Sequence, residues 1–208
     1  LMVDVSGSES FGTHEQFKRD VITEISATLA FSAIQNNDKV GLLLFSDEIE
    51  LFIPPKKGKT HVLRIIRELL EFEPGSRRTD FRQALRYMSN VMKKKAIVFV
   101  LSDFVDEGYD NALKIVGKKH DVTGIRVYDR YEEELPKLGM VPMKDAETGE
   151  IVLVNTNSKE VRKNYRANYL KTVDYFENAF TKSGSGTIHT RLDESYVKKL
   201  LSYFKRRN

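Results

Sequence analysis

The run Lys-Ala-Ile-Val-Phe-Val-Leu at positions 95–101 constrains the fold more than any other feature of the sequence. A short, continuous run of apolar, β-branched and aromatic residues is typical of a strand that is buried on both faces, as strands of parallel sheets are. A helical pattern follows at positions 110–119. Parallel strands need crossover connections, usually helices, so this segment predicts an α/β protein.

The same alternation recurs along the chain. Apolar runs predict strands at 1–5, 39–45, 122–128 and 187–190, and helical periodicity predicts helices at 14–36, 60–72, 79–92, 159–180 and 194–205. A short antiparallel edge strand is predicted at 50–53, where Pro54-Pro55 would stop it. We therefore predict a three-layer, doubly wound, mostly parallel sheet of Rossmann-like topology.

The region of about 132–155 is predicted to be a hairpin insertion, with strands at 141–143 and 151–154 around turn residues at 145–150. The sequence shows no repeat and no linker, and its 208 residues favour a single domain over 1–208. Because the chain begins inside the apolar segment Leu1-Met2-Val3, we expect it to be truncated at its amino end.

Composition excludes several classes of function. The net charge of +4 is a small excess of 34 basic over 30 acidic residues, and the clusters at 93–95 and 205–207 lack interleaved aromatic residues, so nucleic-acid binding is not expected. With no cysteine the chain has no disulfide, no thiolate metal site and no cysteine nucleophile. We expect a cytoplasmic location, and no membrane contact is evident in this fragment, because no segment resembles a signal peptide or a spanning helix.

Polar side chains stand in three predicted loops, which we expect to lie at one edge of the sheet. Asp4, Ser6 and Ser8 follow the first strand, Thr79 precedes a helix, and Asp103 follows the strand at 95–101. In open α/β sheets ligands bind outside the carboxyl ends of the strands. These ligands are hydroxyl and carboxylate oxygens without histidine or cysteine, which favours Mg²⁺, or Mn²⁺ or Ca²⁺, over Zn²⁺.

The segments Asp4-Val5-Ser6-Gly7-Ser8, Thr79-Asp80 and Ser102-Asp103 resemble the metal-ion-dependent adhesion site of von Willebrand factor A domains. The resemblance implies that Ser6, Ser8 and Thr79 bind the ion directly. It also implies that Asp4 and Asp103 act largely through water, and that an acidic residue of a partner protein completes the coordination.

Two longer segments, at 77–85 and 188–193, are similar to a bacterial branch of that superfamily, the domain of unknown function 58 family, often encoded beside MoxR-type ATPases. The resemblance implies a non-enzymatic, metal-dependent protein-interaction module that acts as adaptor or partner of a MoxR-type AAA ATPase. No Gly-x-x-x-x-Gly-Lys-Ser/Thr loop occurs in the sequence, so ATP chemistry would belong to the partner.

Other interpretations of the same residues stay open at this point. An aspartate after the first strand also suits a Mg²⁺-dependent phosphohydrolase, although the haloacid dehalogenase type carries a second aspartate where this chain has Ser6. Thr79 would also serve as the N-cap of the helix that follows it.

Overall fold

The computed structural model describes residues 1–6, 15–144 and 150–207. The strands are Met2–Asp4 (β1), Val40–Phe45 (β2), Ile49–Lys56 (β3), Ile97–Ser102 (β4), Asp121–Tyr128 (β5), Met140–Lys144 (β6), Ile151–Asn155 (β7) and Gly186–Arg191 (β8). The helices are Glu15–Gln35 (α1), Lys59–Glu71 (α2), Phe81–Val91 (α3), Asp110–Lys119 (α4), Arg130–Glu133 (α5), Lys159–Lys182 (α6) and Tyr196–Arg207 (α7).

Six strands form the central sheet in the order β3-β2-β1-β4-β5-β8. Only the pairing of β2 with the edge strand β3 is antiparallel; the other four pairings are parallel. The predicted doubly wound, mostly parallel sheet with one antiparallel edge strand is therefore confirmed.

Helices cover both faces of the sheet and bury a separate apolar core on each. Helices α1, α2 and α7 pack on one face, where Ile25, Ile65 and Leu200 meet the strands. Helices α3, α4 and α6 pack on the other, with Phe81 and Phe176 among the core residues. The strands are nearly continuous apolar runs because each core needs alternate residues from every central strand.

Strand β1 lies between β2 and β4. The strands that follow it are added first on one side of β1, as β2 and β3, and then on the other side, as β4, β5 and β8. Asp4 is in register with Phe45 of β2, and Val3 is in register with Leu101 of β4. Such a topological switch point leaves a crevice at the carboxyl ends of the central strands. The candidate residues lie there.

Two elements differ from the sequence prediction. Strand β3 continues through Pro54 and Pro55 to Lys56, instead of stopping at 53, because an edge strand tolerates residues that cannot donate a ladder hydrogen bond. The short helix α5 was not predicted; a capping box of Asp129 and Glu132 stabilises its first turn.

The predicted hairpin insertion is confirmed as the pair β6–β7. Its base is fixed by buried Thr156, whose hydroxyl accepts from Leu138 N at 2.8 Å and donates to Gly139 O at 2.9 Å. The predicted turn falls mainly on residues outside the described part. Among the described residues, no helix combines the length and the apolar character that crossing a bilayer requires.

Gly124 of β5 provides a test of the packing between the sheet and α6. A Cβ at this position would lie 2.6 Å from Phe180 Cε1 and 2.7 Å from Phe176 Cε2. We expect Gly124→Ala to lower the free energy of unfolding by about 1–3 kcal/mol in denaturant titrations, because the two rings must shift. Gly75→Ala is the control, since its Cβ would make only ordinary contacts, the nearest being Glu50 Oε2 at 3.4 Å and Glu48 Oε1 at 3.5 Å. Equal effects of the two substitutions would contradict this packing.

Candidate functional site

Asp4 is the centre of the candidate site. It ends β1 and is buried, with 6% of its surface exposed. Its Oδ1 accepts hydrogen bonds from Ser6 Oγ at 2.6 Å and from Ser6 N at 3.0 Å. Its Oδ2 accepts from Ser102 Oγ at 2.7 Å. Both carboxylate oxygens are therefore bound by groups at the ends of two adjacent strands.

Thr79 joins the site from the loop before α3. Its hydroxyl donates to Ser6 Oγ at 2.6 Å, across 73 positions of sequence. The loop is held in place at the next residue, where Asp80 N donates to Ser46 O at 3.1 Å. The hydroxyl network thus runs from Thr79 through Ser6 to Asp4.

Thr79 is not the N-cap of α3, so that interpretation was wrong. Asp80 caps the helix, and its Oδ1 accepts from Gln83 N at 2.9 Å. Aspartate also suits the positive end of the helix dipole. Because the cap is one residue further on, the side chain of Thr79 is directed to Ser6 instead.

Asp103 follows β4 and is also buried. Its Oδ1 accepts from Val105 N at 3.2 Å and lies 3.5 Å from Ser102 Oγ. The next residue, Phe104, has a left-handed backbone (φ 59°) that few side chains adopt. Its fully buried ring packs against Phe176 at 4.2 Å between centroids, which holds the loop against the core.

The structure therefore brings together four of the five predicted residues: Asp4, Ser6, Thr79 and Asp103. The fifth, Ser8, lies outside the described residues. Ser102 was quoted in the motif but not predicted as a site residue. Its hydroxyl donates to Asp4, and it accepts from Phe104 N at 2.9 Å, so it links both strand ends.

Lys18 of α1 is a site residue that the sequence analysis missed. Its Nζ lies 3.3 Å from Asp103 Oδ2 and 2.7 Å from Glu132 Oε1, and its side chain is 8% exposed. The sequence does contain a signal, because Lys18 precedes Ile22 and Ile25 on one helical stripe. A lysine on a buried stripe needs an acidic partner.

Arg126 of β5 is a second buried cation that was missed. It is 1% exposed, and its Nε donates to Asp103 O at 3.0 Å. Its guanidinium lies over the rings of Tyr128 and Tyr169, at 4.5 and 4.8 Å from their centroids. Arginine is suited to such stacking, and here it fixes the backbone that carries Asp103.

The two carboxylates differ in their pKa values. Burial, and then the negative charge of Asp103, raises the pKa of Asp4 to about 6. Burial would also raise the pKa of Asp103, but Lys18, the Val105 N–H and Arg126 hold it below its usual value. Asp103 is therefore compensated within the protein, whereas Asp4 is an anion that gains from an added cation.

The donor set fits a hard divalent cation. It consists of two carboxylates and neutral hydroxyls, all oxygen, which Mg²⁺, Mn²⁺ and Ca²⁺ prefer. Over the residues that the structure describes, no group of three His, Cys, Asp or Glu side chains is arranged to hold a metal ion. Any ion held here would depend on the hydroxyl oxygens of Ser6 and Thr79 as much as on carboxylates.

The pKa of Asp4 is directly measurable. We expect a carbon-13 NMR titration of its carboxyl group in chelator to give a midpoint near 6. Since this lies above the ordinary value of 3.8, ionising Asp4 opposes folding: its contribution to stability is full below pH 4 and declines as the pH rises through 6. A midpoint at the ordinary value would contradict the desolvated environment.

The buried ion pairs of Lys18 are tested by Lys18→Met, which keeps the length of the side chain but removes its charge. We expect the free energy of unfolding to fall by about 3 kcal/mol, because Asp103 and Glu132 lose their buried partner. The matched control is Lys199→Met, which removes an ion pair with Glu194 whose side chains are 44% and 35% exposed. We expect at most about 1 kcal/mol there. Losses of equal size would show that Lys18 is not a buried partner.

The fold is similar to the folds of two bacterial proteins of known structure. One is an aerotolerance-related membrane protein from Bacteroides fragilis NCTC 9343, solved with multiple mutations to serines; the TM-score is 0.57 at 16% identity, over 96% of this chain and 93% of that one. The other is the conserved hypothetical protein BatB from Bacteroides thetaiotaomicron, with a TM-score of 0.54 at 18% identity, over 96% and 92%. Similarity at this identity shows a shared fold.

Curated relatives occur in mycobacteria. The uncharacterized protein Rv1480 of Mycobacterium tuberculosis (strain ATCC 25618 / H37Rv) is 27% identical over 152 residues, which are 72% of this chain and 48% of that protein. The uncharacterized protein MAV169 of Mycobacterium avium is 26% identical over 100 residues, 47% of this chain and 59% of that protein. The chain spans about half the length of the first of these relatives.

The family comparison covers most of the chain and includes all the candidate site residues. The match extends over residues 1–174 of the 208, from β1 into α6. On that match, the chain belongs to the family described as "Protein of unknown function DUF58".

Proposed function

We propose that this chain is a metal-dependent protein-interaction module, and that its site binds Mg²⁺, or Mn²⁺ or Ca²⁺, in the manner of a metal-ion-dependent adhesion site. The observation that carries the proposal is the hydrogen-bonded network of Thr79, Ser6, Asp4 and Ser102 beside Asp103. It joins three loops at the switch point of the sheet, where ligands of such folds bind.

Each residue has a distinct part in this proposal. The hydroxyl oxygens of Ser6 and Thr79, with that of Ser8, contact the ion directly. Asp4 and Asp103 act through water and orient the hydroxyls. The ion supplies a positive charge that a carboxylate of the partner approaches.

Charge balance supports binding of an acidic partner. Asp4, Asp103 and Glu132 carry three negative charges, while Lys18 and Arg126 supply two positive charges at the same place. These charges sum to a single negative charge, so a divalent ion held by neutral hydroxyls would leave the site net positive. An incoming carboxylate would then meet a net attraction.

The partner that we propose is a MoxR-type AAA ATPase, with this chain as its adaptor in the assembly or maturation of a complex. The support is the resemblance of segments 77–85 and 188–193 to a family often encoded beside such ATPases. The sequence has no phosphate-binding loop of its own. Since the chain spans about half of a relative such as Rv1480, this proposal concerns the part of the protein that carries the site.

The hydrogen bonds of Asp4 favour binding over phosphoryl transfer. A nucleophilic aspartate must present one carboxylate oxygen to the phosphorus. Each carboxylate oxygen of Asp4 instead accepts a hydrogen bond from a serine hydroxyl group. The position two residues later, which holds the acid-base aspartate in haloacid dehalogenases, is Ser6. We therefore propose that the chain is not an enzyme.

Calorimetric titration of Mg²⁺ and Mn²⁺ tests the proposed ion site. We expect wild type to bind one ion, and Thr79→Ala and Asp103→Asn to weaken binding at least about tenfold, because each removes an oxygen donor or an orienting carboxylate. Thr60→Ala removes an exposed hydroxyl at the start of α2 and is the matched control. Equal affinity in wild type and Thr79→Ala would overturn the assignment.

The proposed association with the ATPase can be tested with the same variants. Association with a purified MoxR-type ATPase should require Mg²⁺, disappear in chelator, and weaken in Thr79→Ala but not in Thr60→Ala. Association that persists in chelator would separate the partnership from the ion site.

A further inference from the structure

Lysines from four separate chain segments converge on the amino edge of the sheet, opposite the candidate site. Lys39 precedes β2, and Lys56 at the end of β3 is in register with Val40 of β2. A run of three lysines precedes β4, and Lys118 lies in the last turn of α4. We call this set the basic edge; its members, all exposed, are Lys39, Lys56, Lys93, Lys94, Lys95 and Lys118.

Two hollows connect five of these six lysines, all but Lys56, into one surface. Lys39 and the lysines at 93–95 line a hollow of 640 Å³. Lys95 and Lys118 line a second hollow, of 550 Å³. Lys95 and Ile97 border both, so the two hollows adjoin each other.

The positive charge of the basic edge is not used within the described part of the chain. None of its six lysines forms an ion pair there, whereas the nearby Arg207 is paired with Asp121 at 2.7 Å. Asp38 is the one acidic residue among the described residues that line the first hollow. Among the described residues, the edge therefore carries an excess of positive charge.

Apolar groups lie directly among these charges. Ile97 is 63% exposed between the two hollows. The first hollow is walled by side chains of the core, among them Leu29, Met88 and Phe99. A surface with exposed apolar side chains beside lysines is suited to a ligand that is anionic and apolar at once.

We propose that the basic edge docks on an anionic lipid surface, with the lysines against the headgroups and Ile97 towards the acyl boundary. The choice of lysine supports lipid over an acidic peptide. Carboxylates of a peptide are recognised best by the bidentate fork of arginine, whereas mobile lipid phosphates need only point charges. A nucleic acid would leave the apolar hollow and Ile97 without a function.

Docking at this edge would fix which end of the strands faces the lipid. The site residues lie at the carboxyl ends of β1 and β4, whereas the basic edge lies at the amino ends of β2 and β4. A lipid surface at the basic edge would leave the candidate site facing away from it, open to a protein partner. The lipid proposal does not depend on metal binding.

Vesicle sedimentation tests the proposal with the purified protein in chelator, so that the candidate metal site does not contribute. The probes are phosphatidylcholine vesicles and vesicles that also contain phosphatidylglycerol. The test variant carries K93Q, K94Q and K95Q. The matched control carries K159Q, K163Q and K171Q on α6, which remove the same charge from exposed lysines outside the basic edge. Thermal melting establishes that both variants fold.

Wild type should partition onto anionic vesicles and not onto neutral ones, and added salt should weaken the binding. The test variant should partition on the order of a hundredfold more weakly, since each lysine near an anionic surface contributes to binding, while the control should match wild type. Absence of binding to anionic vesicles, equal loss in the two variants, or lysine-dependent binding of duplex DNA without vesicle binding would each overturn the proposal.

Discussion

The hydrogen bond from Ser102 to Asp4, 2.7 Å long and buried, is the contact on which the rest of the candidate site depends. It ties the ends of β1 and β4 together at the point where the sheet changes direction. Ser6 is then placed by its hydrogen bond to the same carboxylate, and Thr79 by its hydrogen bond to Ser6. The buried charge of Asp4 is tolerated because hydroxyl groups, in place of water, donate hydrogen bonds to its carboxylate.

The sequence predicts the fold well because its signals are local. Each buried strand is an apolar run, and the polar residues that end β1 and β4 stand next to those runs, so Asp4 and Asp103 could be found without coordinates. The contacts that the sequence did not reveal are distant in the chain: Lys18 meets Asp103 across 85 positions, and nothing local identifies its partner. Thr79 was ambiguous because threonine suits both a cap and a ligand, and only the position of Asp80 decides between them.

The two ends of the parallel strands differ in chemistry. At the carboxyl ends, Lys18 and Arg126 compensate Asp103, while Asp4 is bonded to hydroxyls, which is an environment for a cation and then for an acidic side chain. At the amino ends, lysines are exposed and unpaired within the described residues and stand beside Ile97. The proposed ion site and the proposed lipid contact therefore lie at opposite ends of the strands of one sheet. A chain held at one edge would present the other.

Anomalous diffraction from crystals grown with Mn²⁺ would show whether these residues hold an ion. We expect a single strong peak between the ends of β1 and β4, within roughly 2.0–2.6 Å of the hydroxyl oxygens of Ser6 and Thr79, and with Asp4 and Asp103 in reach through water. The Thr79–Ser6 hydrogen bond would then give way to two bonds to the ion. A fully occupied Mn²⁺ elsewhere, with the 2.6 Å contact between Thr79 and Ser6 intact, would contradict it and leave these residues as a purely structural tie between loops.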